Sequence, residues 1–507
     1  MLKFIKKKLS YIAPEAGPHN YQYAFLLFLL ILLTFHHAWI PGMFMDGALY
    51  ATLGQHASEL GRWLVPHLND GAHSRFAEHP PFYFMYIGLL FKVFGNSWLT
   101  ARLAVLILNT ALISILWIEL KKFTTRRQAF FTILILLLSY PFIRKSRAPI
   151  LEIPLMLFAL LTLLSYYKTF LFGRTKDYFF TGFFWGCALL IKGHAAFFIG
   201  LAIFFHLLLT QNFKKLKEPL LWCAFIFGFA IFAIWPLALK LTDNYDVFER
   251  WFNAQFLSTV VNSRGKSDYD FFLYFKVIMR ECLPWFILSM VGTWQIFKNE
   301  KKDHIGFLFI AWFWALLLPF SFIKWKYSHY IIPAYLPMAA LAGHALAHFK
   351  EKIGLYFSHT IKILVLITTV IFLCFPVGIK SERDKEIFEI LKLTQYLKSP
   401  PQAWAEVSAN YDYYWTFLPP LSFSTSAPVY HLSLEHVEEY LQGKNLLNLH
   451  DWIFYIGIQD AKKLKEKFPH EFNEKLVYLT TVPHLERAVL IDKNLLPENT
   501  YFGALKK

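Results

Sequence analysis

Four cysteines in 507 residues are too few and too scattered for a disulfide framework. Cys187, Cys223, Cys282 and Cys374 all fall within or at the edge of apolar runs, with none of the paired spacings of a metal knuckle. They read as small buried hydrophobes. Charge is also scarce, at 17% of residues, and lopsided: 51 Lys and Arg stand against 35 Asp and Glu, a net charge of +16. Such a balance can signal a nucleic-acid partner, but residues 380 to 507 carry 15 basic against 17 acidic groups, leaving 36 against 18 elsewhere. The excess belongs to the short stretches between apolar runs, as positive-inside topology requires, and nucleic acid is excluded as a partner. There is no internal repeat and no matched pair of Gly/Pro-broken apolar runs of the kind inverted-repeat transporters show. Beyond residue 380 there is no Gly-rich phosphate loop, no His-x-x-x-His pair and no nucleophile elbow.

What the sequence has in abundance is apolar surface: 56% hydrophobic, 19% aromatic, a mean hydropathy of +0.38, with apolar runs of about twenty residues, the signature of a polytopic membrane protein. The basic start, Lys3-Phe-Ile-Lys-Lys-Lys8, followed by an apolar run, is similar to a signal sequence. That run ends in His36-His37-Ala-Trp39 without a small-x-small cleavage site, which predicts a retained first span over 21 to 40 with its start in the cytoplasm. Residues 81 to 95 are only fifteen and include Lys92. The run 98 to 120 after them ends in cytoplasmic Lys121-Lys-Phe-Thr-Thr-Arg-Arg127, so 81 to 95 is expected as an interfacial or re-entrant helix on the outer side. Further spans are expected near 128 to 142, 149 to 171, 177 to 192, 194 to 210, 219 to 240, 282 to 298, 305 to 323, 330 to 349 and 360 to 379. The expected fold is an α-helical polytopic membrane domain over 1–379 with about 11 spans, followed by a small soluble α/β domain over 380–507 outside the membrane. In the latter, Trp452-Ile-Phe-Tyr-Ile456, Leu476-Val-Tyr-Leu-Thr-Thr481 and Ala488-Val-Leu-Ile491 read as strands, and Asp460 to Phe468 as a helix; Ser399-Pro-Pro401 and Leu418-Pro-Pro420 are breakers.

With this topology the outer face collects Asp46, Glu78, His79, Arg144-Lys-Ser-Arg147, Glu152, a long 241 to 281 segment with Arg264 and Lys266, and Lys324-Trp-Lys-Tyr-Ser-His-Tyr330. Singly, each has a plainer role: Arg144 and Lys145 can snorkel, Glu152 can cap the span that Pro154 helps start, and Tyr330 can belong to an aromatic belt. Together, three acids and several bases on the outer face, where basic groups run against the positive-inside trend, predict a site at the lipid boundary for an anion such as phosphate.

These residues carry a family resemblance. Asp46 with Tyr50, Glu78-His-Pro-Pro81, Phe91-Lys-Val-Phe-Gly95, Ala101-Arg-Leu103, Ile191-Lys-Gly193, Leu283-Pro-Trp285 and Lys324-Trp-Lys-Tyr-Ser-His-Tyr-Ile-Ile-Pro333 stand in the order of the signature series of the aminoarabinose lipid A transferases and the related protein O-mannosyltransferases. The sequence over about 20 to 350 thus resembles membrane glycosyltransferases of the GT-C fold. The resemblance implies an inverting transfer from a polyprenyl-phosphate-linked sugar to an envelope acceptor, a lipid A-type glycolipid or a protein, at the outer face of a bacterial inner membrane, with the C-terminal domain in the periplasm. Carried over by motif, Asp46, Glu78 and Glu152 are the expected catalytic acids, and Lys326 and Tyr330 match the family's Lys and Tyr. His79, Arg147, Arg264 and Lys266 join Lys326 and Tyr330 as expected contacts to the donor phosphate. The sequence departs from the family pattern in Gly47 after Asp46, in His79 for a Lys, and in having no His within 242 to 281. That leaves Glu78 and His79 as candidate ligands for a divalent metal. The competing class is a transporter or flippase for a lipid-linked saccharide; a third reading is an inactive relative that only binds polyprenyl phosphate.

The topology is testable. A cysteine placed at Asn96 is expected to react with an impermeant thiol reagent from outside, and one at Thr124 is expected not to; the reverse labelling pattern would overturn the sidedness of every segment before residue 150.

Overall fold

The computed structural model describes residues 20–43, 45–68, 75–261, 270–298, 303–324, 326–349, 351–377, 397–407, 423, 425, 428–444, 447, 449–482 and 487–496. Arg264, Lys266 and the Leu418-Pro-Pro420 breaker lie outside the described residues. The chain divides into two compact units. The first comprises Met1–Ala38, Ala77–Tyr86 and Leu99–Gly378, the second Trp39–Phe76, Ile87–Trp98 and Ile379–Lys507.

Helices α1 (Asn20–Phe35), α2 (Met45–Glu59) and α3 (Phe82–Phe94) open the chain. At 1.5 Å per residue α3 is roughly 20 Å long, short of the roughly 30 Å hydrocarbon core. Helix α4 (Trp98–Phe123) is followed by α5 (Arg126–Leu138), which Thr125 caps by accepting from the Gln128 amide at 3.1 Å. The continuous span expected over 128 to 142 is instead two helices. Ser139 is extended (φ −77°, ψ 107°) and Pro141, which cannot donate to the preceding turn, sits in the first turn of α6 (Tyr140–Lys145). Helix α7 (Glu152–Phe172) ends at Gly173, whose φ of 64° places it in the left-handed region.

Helices α8 (Thr175–Lys192) and α9 (Phe197–Leu209) are joined by the 3₁₀ turn Gly193–Ala196. Near the end of α7, the Tyr166 hydroxyl bonds His206 near the end of α9 at 2.9 Å, and Lys215 donates to the Thr169 carbonyl at 3.0 Å. Helix α8 therefore leaves the face at which α7 ends, and α9 returns to it. Helix α10 (Pro219–Leu241) packs on α8 with backbones almost touching. A Cβ at Gly182 would lie 2.3 Å from the Ala224 carbonyl oxygen, and one at Gly186 would lie 2.8 Å from that of Gly228. The Gly182-Phe-Phe-Trp-Gly186 spacing places both glycines on one helix face, the small-residue pattern by which helices approach in lipid.

The long 241 to 281 segment is largely helical where it is described. It contains α11 (Tyr245–Trp251), a π-helical stretch Phe252–Leu257, and the start of α12 (Leu273–Lys298). The span expected to begin at 282 thus belongs to a helix that begins nearer 273, kinked at Cys282 (φ −138°, ψ 23°) two residues before Pro284. Helices α13 (His304–Phe322), α14 (Ile332–His348) and α15 (Glu351–Cys374) complete the first unit. Asp303 caps α13 through the Gly306 amide at 3.0 Å. Among the described residues, six helical segments are long and apolar enough to cross a membrane, with Thr175–Leu209 taken as one of them.

In the second unit, five strands form one sheet in the order β2-β1-β3-β5-β4: β1 (Ala403–Val407), β2 (Val429–Leu432), β3 (Trp452–Gly457), β4 (Leu476–Val482) and β5 (Arg487–Asp492). Strand β1 pairs parallel with both β2 and β3, whereas β5 runs antiparallel to β3 and β4. The expected strands at 452, 476 and 488 are present, the helix expected from Asp460 to Phe468 is Ile458–Lys467, and β1 and β2 are additional. Their sequences explain why they escaped notice. Ala-Trp-Ala-Glu-Val lacks the β-branched enrichment of a strand, and β2 has four residues. Trp452, Phe454 and Ile456 of β3 are fully buried in the core of this sheet. In the same unit Phe423 is held between the rings of Phe91, at 5.8 Å, and Trp98, at 4.5 Å.

Gly186→Ala is expected to lower the thermal unfolding midpoint of the purified protein, reflecting about 1–3 kcal/mol of overpacking. Gly200→Ala is the control, because its added methyl meets only the Phe225 ring at 3.7 Å. Equal midpoints for the two variants would contradict the backbone contact between α8 and α10.

Candidate functional site

Three chain reversals in the first unit bring charged groups together. Glu152 opens α7, where a carboxylate complements the positive end of the helix dipole; Lys192 closes α8, where an ammonium complements the negative end. The two form a hydrogen-bonded ion pair, with Glu152 3% exposed and Lys192 10%. Gly193, the residue after Lys192, has φ 55° and ψ −129°, and a Cβ there would stand 2.3 Å from the Trp251 ring. Only glycine suits both the dihedrals and the ring, so the Ile191-Lys-Gly193 motif places a cation and permits the turn that turns it inward.

The third reversal is the 3₁₀ turn Ser328–Ile331 ahead of α14, whose first turn contains Pro333. His329 Nε2 lies 3.8 Å from a Glu152 oxygen, and the Lys192 ammonium sits 4.7 Å above the Tyr330 ring. The rings of His329 and Tyr330 meet edge to face, 4.9 Å apart. Lys326 is tied down just upstream, its ammonium donating to the carbonyls of Asp270 at 2.7 Å and Ser321 at 2.6 Å. Ser321 belongs to the last turn of α13, so Lys326 satisfies a carbonyl that the helix end leaves open. Burial pulls the Lys326 pKa down, and the Asp270 carboxylate partly opposes that shift.

Arg147 is 1% exposed. Its Nε donates to the Leu33 carbonyl at 2.8 Å and one terminal nitrogen to that of Val377 at 2.6 Å, and its guanidinium stacks 4.8 Å from the Phe372 ring. Burial lowers its pKa to about 10, which still leaves it cationic at neutral pH. Glu78 and His79, half-buried, stand immediately before α3, and the buried Pro80 and Pro81 stop that helix from extending back over them; the Met85 amide closes the first turn on the Pro81 carbonyl at 2.9 Å. Tyr83, within that first turn, is buried with its hydroxyl lacking a hydrogen-bond partner among the described residues, and lies within electrostatic reach of Glu152. Asp46 belongs to the second unit, in the first turn of α2, half-buried. Among the described residues, no group of three or more His, Cys, Asp or Glu side chains gathers that could hold a metal, and Glu78 with His79, as a pair, falls short of such a set.

Of the expected site residues, the structure thus joins Glu152 and Tyr330, and it does so through Lys192. Lys192, His329 and Tyr83 were missed as site residues by the sequence reading. A signal for Lys192 existed, because a lysine between two adjoining apolar runs needs a partner.

The chain has the fold of GT-C membrane glycosyltransferases. The crystal structure of ArnT from Cupriavidus metallidurans bound to undecaprenyl phosphate superposes with a TM-score of 0.78 at 15% identity, covering 95% of this chain and 100% of that one. The Archaeoglobus fulgidus oligosaccharyltransferase in its apo form gives 0.56 at 11% identity, over 91% and 73%. Within that class the chain resembles the aminoarabinose transferases and protein mannosyltransferases. It is 26% identical over 341 residues to the undecaprenyl phosphate-alpha-4-amino-4-deoxy-L-arabinose arabinosyl transferase of Pseudomonas savastanoi pv. phaseolicola, covering 65% of this chain and 61% of the relative. Residues 78–235 match the family described as dolichyl-phosphate-mannose-protein mannosyltransferase. The matched stretch spans 58–61% of the length of such curated relatives.

Lys192→Met leaves Glu152 buried with its main cation gone and is expected to destabilise the protein by about 3–5 kcal/mol. The Glu152→Gln, Lys192→Met double variant is expected to recover a large part of that loss in a thermal unfolding series. A double variant no more stable than Lys192→Met alone would deny the coupling.

Proposed function

We propose that this protein is an inverting glycosyltransferase that moves a sugar from a polyprenyl-phosphate donor to a hydroxyl or phosphate of an envelope acceptor, foremost a lipid A-type glycolipid, with a protein as the other acceptor class. The reaction occurs at the periplasmic face of a bacterial inner membrane, with 1–379 as the catalytic domain and 380–507 as a soluble periplasmic domain. The observation that carries the reading is the buried Glu152–Lys192 pair with His329 and Tyr330 at converging chain reversals. It sits in a fold shared with an ArnT that binds undecaprenyl phosphate.

The chemistry asks for two things. The acceptor oxygen attacks the anomeric carbon from the face opposite the phosphate, the bond from that carbon to the phosphate oxygen breaks, and its electron pair leaves on the phosphate. Cations must hold that charge, and when the acceptor is a hydroxyl a carboxylate must take its proton. Lys192, over the Tyr330 ring, and Lys326, just upstream of the Tyr330 turn, are the cations assigned to that charge, with Arg147, His79, Arg264 and Lys266 as further phosphate contacts. Glu152 pairs with Lys192 and orients it, and Glu78 stands beside His79 as the third acid. Asp46 takes the proton. The polyprenyl tail stays in the bilayer while its head enters the site, so no nucleotide is required.

Purified protein given a polyprenyl-phosphate sugar and an envelope lipid extract is expected to consume the donor and release free polyprenyl phosphate. A flippase would leave the donor chemically unchanged. Asp46→Asn is expected to cut turnover to a hydroxyl acceptor by roughly 10²- to 10⁴-fold, the general-base range, with donor binding retained. Near-wild-type turnover, or a larger loss in Glu78→Gln, would move the base role elsewhere.

A further inference from the structure

We propose that a cavity at the opposite end of α7 from Glu152 binds the headgroup of an anionic glycerophospholipid. The cavity, of about 410 Å³, lies in the first unit among the last turns of α4, the second half of α7 and the first turns of α8. Its Lys168 is roughly 24 Å along α7 from Glu152, at 1.5 Å per residue, so the two sites are separate.

The lining has two chemistries. The exposed Arg174 and Lys176 with the half-buried Lys168 form the charged rim; the less exposed Leu161, Leu164 and Phe184 form an apolar throat. Two carboxylates also reach the rim, and both are already neutralised. Glu119 is paired with Lys168 at 2.9 Å and with Lys122 at 2.8 Å, and Asp177 with Arg174 Nε at 2.8 Å. Neither is left to receive the ammonium of a zwitterionic headgroup. The cations, by contrast, exceed their partners. Among the described residues, Arg174 spends only Nε on an acid, Asp177, and Lys176 has no acidic partner. The first backbone N–H groups of the eighteen-residue α8 add to the positive field at the same rim.

A net-positive rim fits a phosphodiester, and the throat fits what is attached to it. Ile118 and Phe180, at the side of the cavity, are 50% and 43% exposed, so the cavity opens laterally along an apolar helix face, where acyl chains would lie. Free phosphate would gain nothing from that throat. The combination of basic rim and lateral apolar opening is the chemistry by which membrane proteins retain anionic lipids.

The test is native mass spectrometry of the delipidated full chain in detergent, titrated with phosphatidylglycerol, with phosphatidylcholine of the same acyl chains, and with glycerol 3-phosphate. Phosphatidylglycerol is expected to be retained in preference to the other two. The Arg174→Gln, Lys176→Gln double variant is expected to weaken its retention by about tenfold, the low end for a lost charged hydrogen bond. Both positions are exposed, and Asp177, which loses Arg174, keeps its favourable place in the first turn of α8, so the fold is expected to persist; an unchanged thermal midpoint verifies it. Lys214→Gln, a basic residue outside the cavity lining, is expected to leave retention unchanged. Wild-type retention by the double variant, equal retention of phosphatidylcholine, or equally tight binding of glycerol 3-phosphate would each overturn the proposal.

Discussion

A carboxylate withdrawn from water into an apolar interior must meet a cation there or give up its charge. Glu152 is that carboxylate, and much of the first unit follows from supplying its partner. Lys192 can reach it because α8 ends where α7 begins, which requires the reversal at Gly193. That reversal requires a residue without a side chain, because the Trp251 ring occupies the space. Tyr330 then closes over the ammonium and His329 lies within 3.8 Å of the carboxylate. One electrostatic requirement thus links three chain reversals that are far apart in sequence.

The proline-containing motifs act by a different route, through the backbone. Pro80 and Pro81 fix where α3 starts, Pro284 follows the kink in α12, and Pro333 lies in the first turn of α14. Each keeps a helix from running through the chain segment that must turn toward the site or bend beside it. Lys326 contributes similarly, since its ammonium ties the Lys324 to Tyr330 stretch to the end of α13.

How much of this could be read in the sequence depended on the range of the interaction. Apolar runs are local, so most helices stood where the runs predicted. The exceptions were set by single breakers: Ser139 with Pro141 divided an expected span, and Cys282 with Pro284 bent a helix that starts well before its apolar core. Strands β1 and β2 escaped because a short Ala- and Trp-containing segment gains its strand character from its neighbours in the sheet. At the site, Glu152 and Tyr330 were legible as motif residues. The pairing of Glu152 with Lys192 was not, because two residues forty apart in sequence become neighbours only through the antiparallel packing of α7 and α8. Lys326 was legible as a cation, but its backbone partners were not.

The depth of the Glu152–Lys192 pair also determines how it responds to the surrounding medium. Mobile ions screen exposed charges over about 8 Å at physiological ionic strength, but they cannot enter a pair whose members are 3% and 10% exposed. Arg174 and Lys176, exposed at the other end of α7, have no such shelter. One helix therefore joins a salt-insensitive electrostatic centre to a salt-sensitive one, and raising the electrolyte concentration separates the contributions of its two ends without any change in sequence.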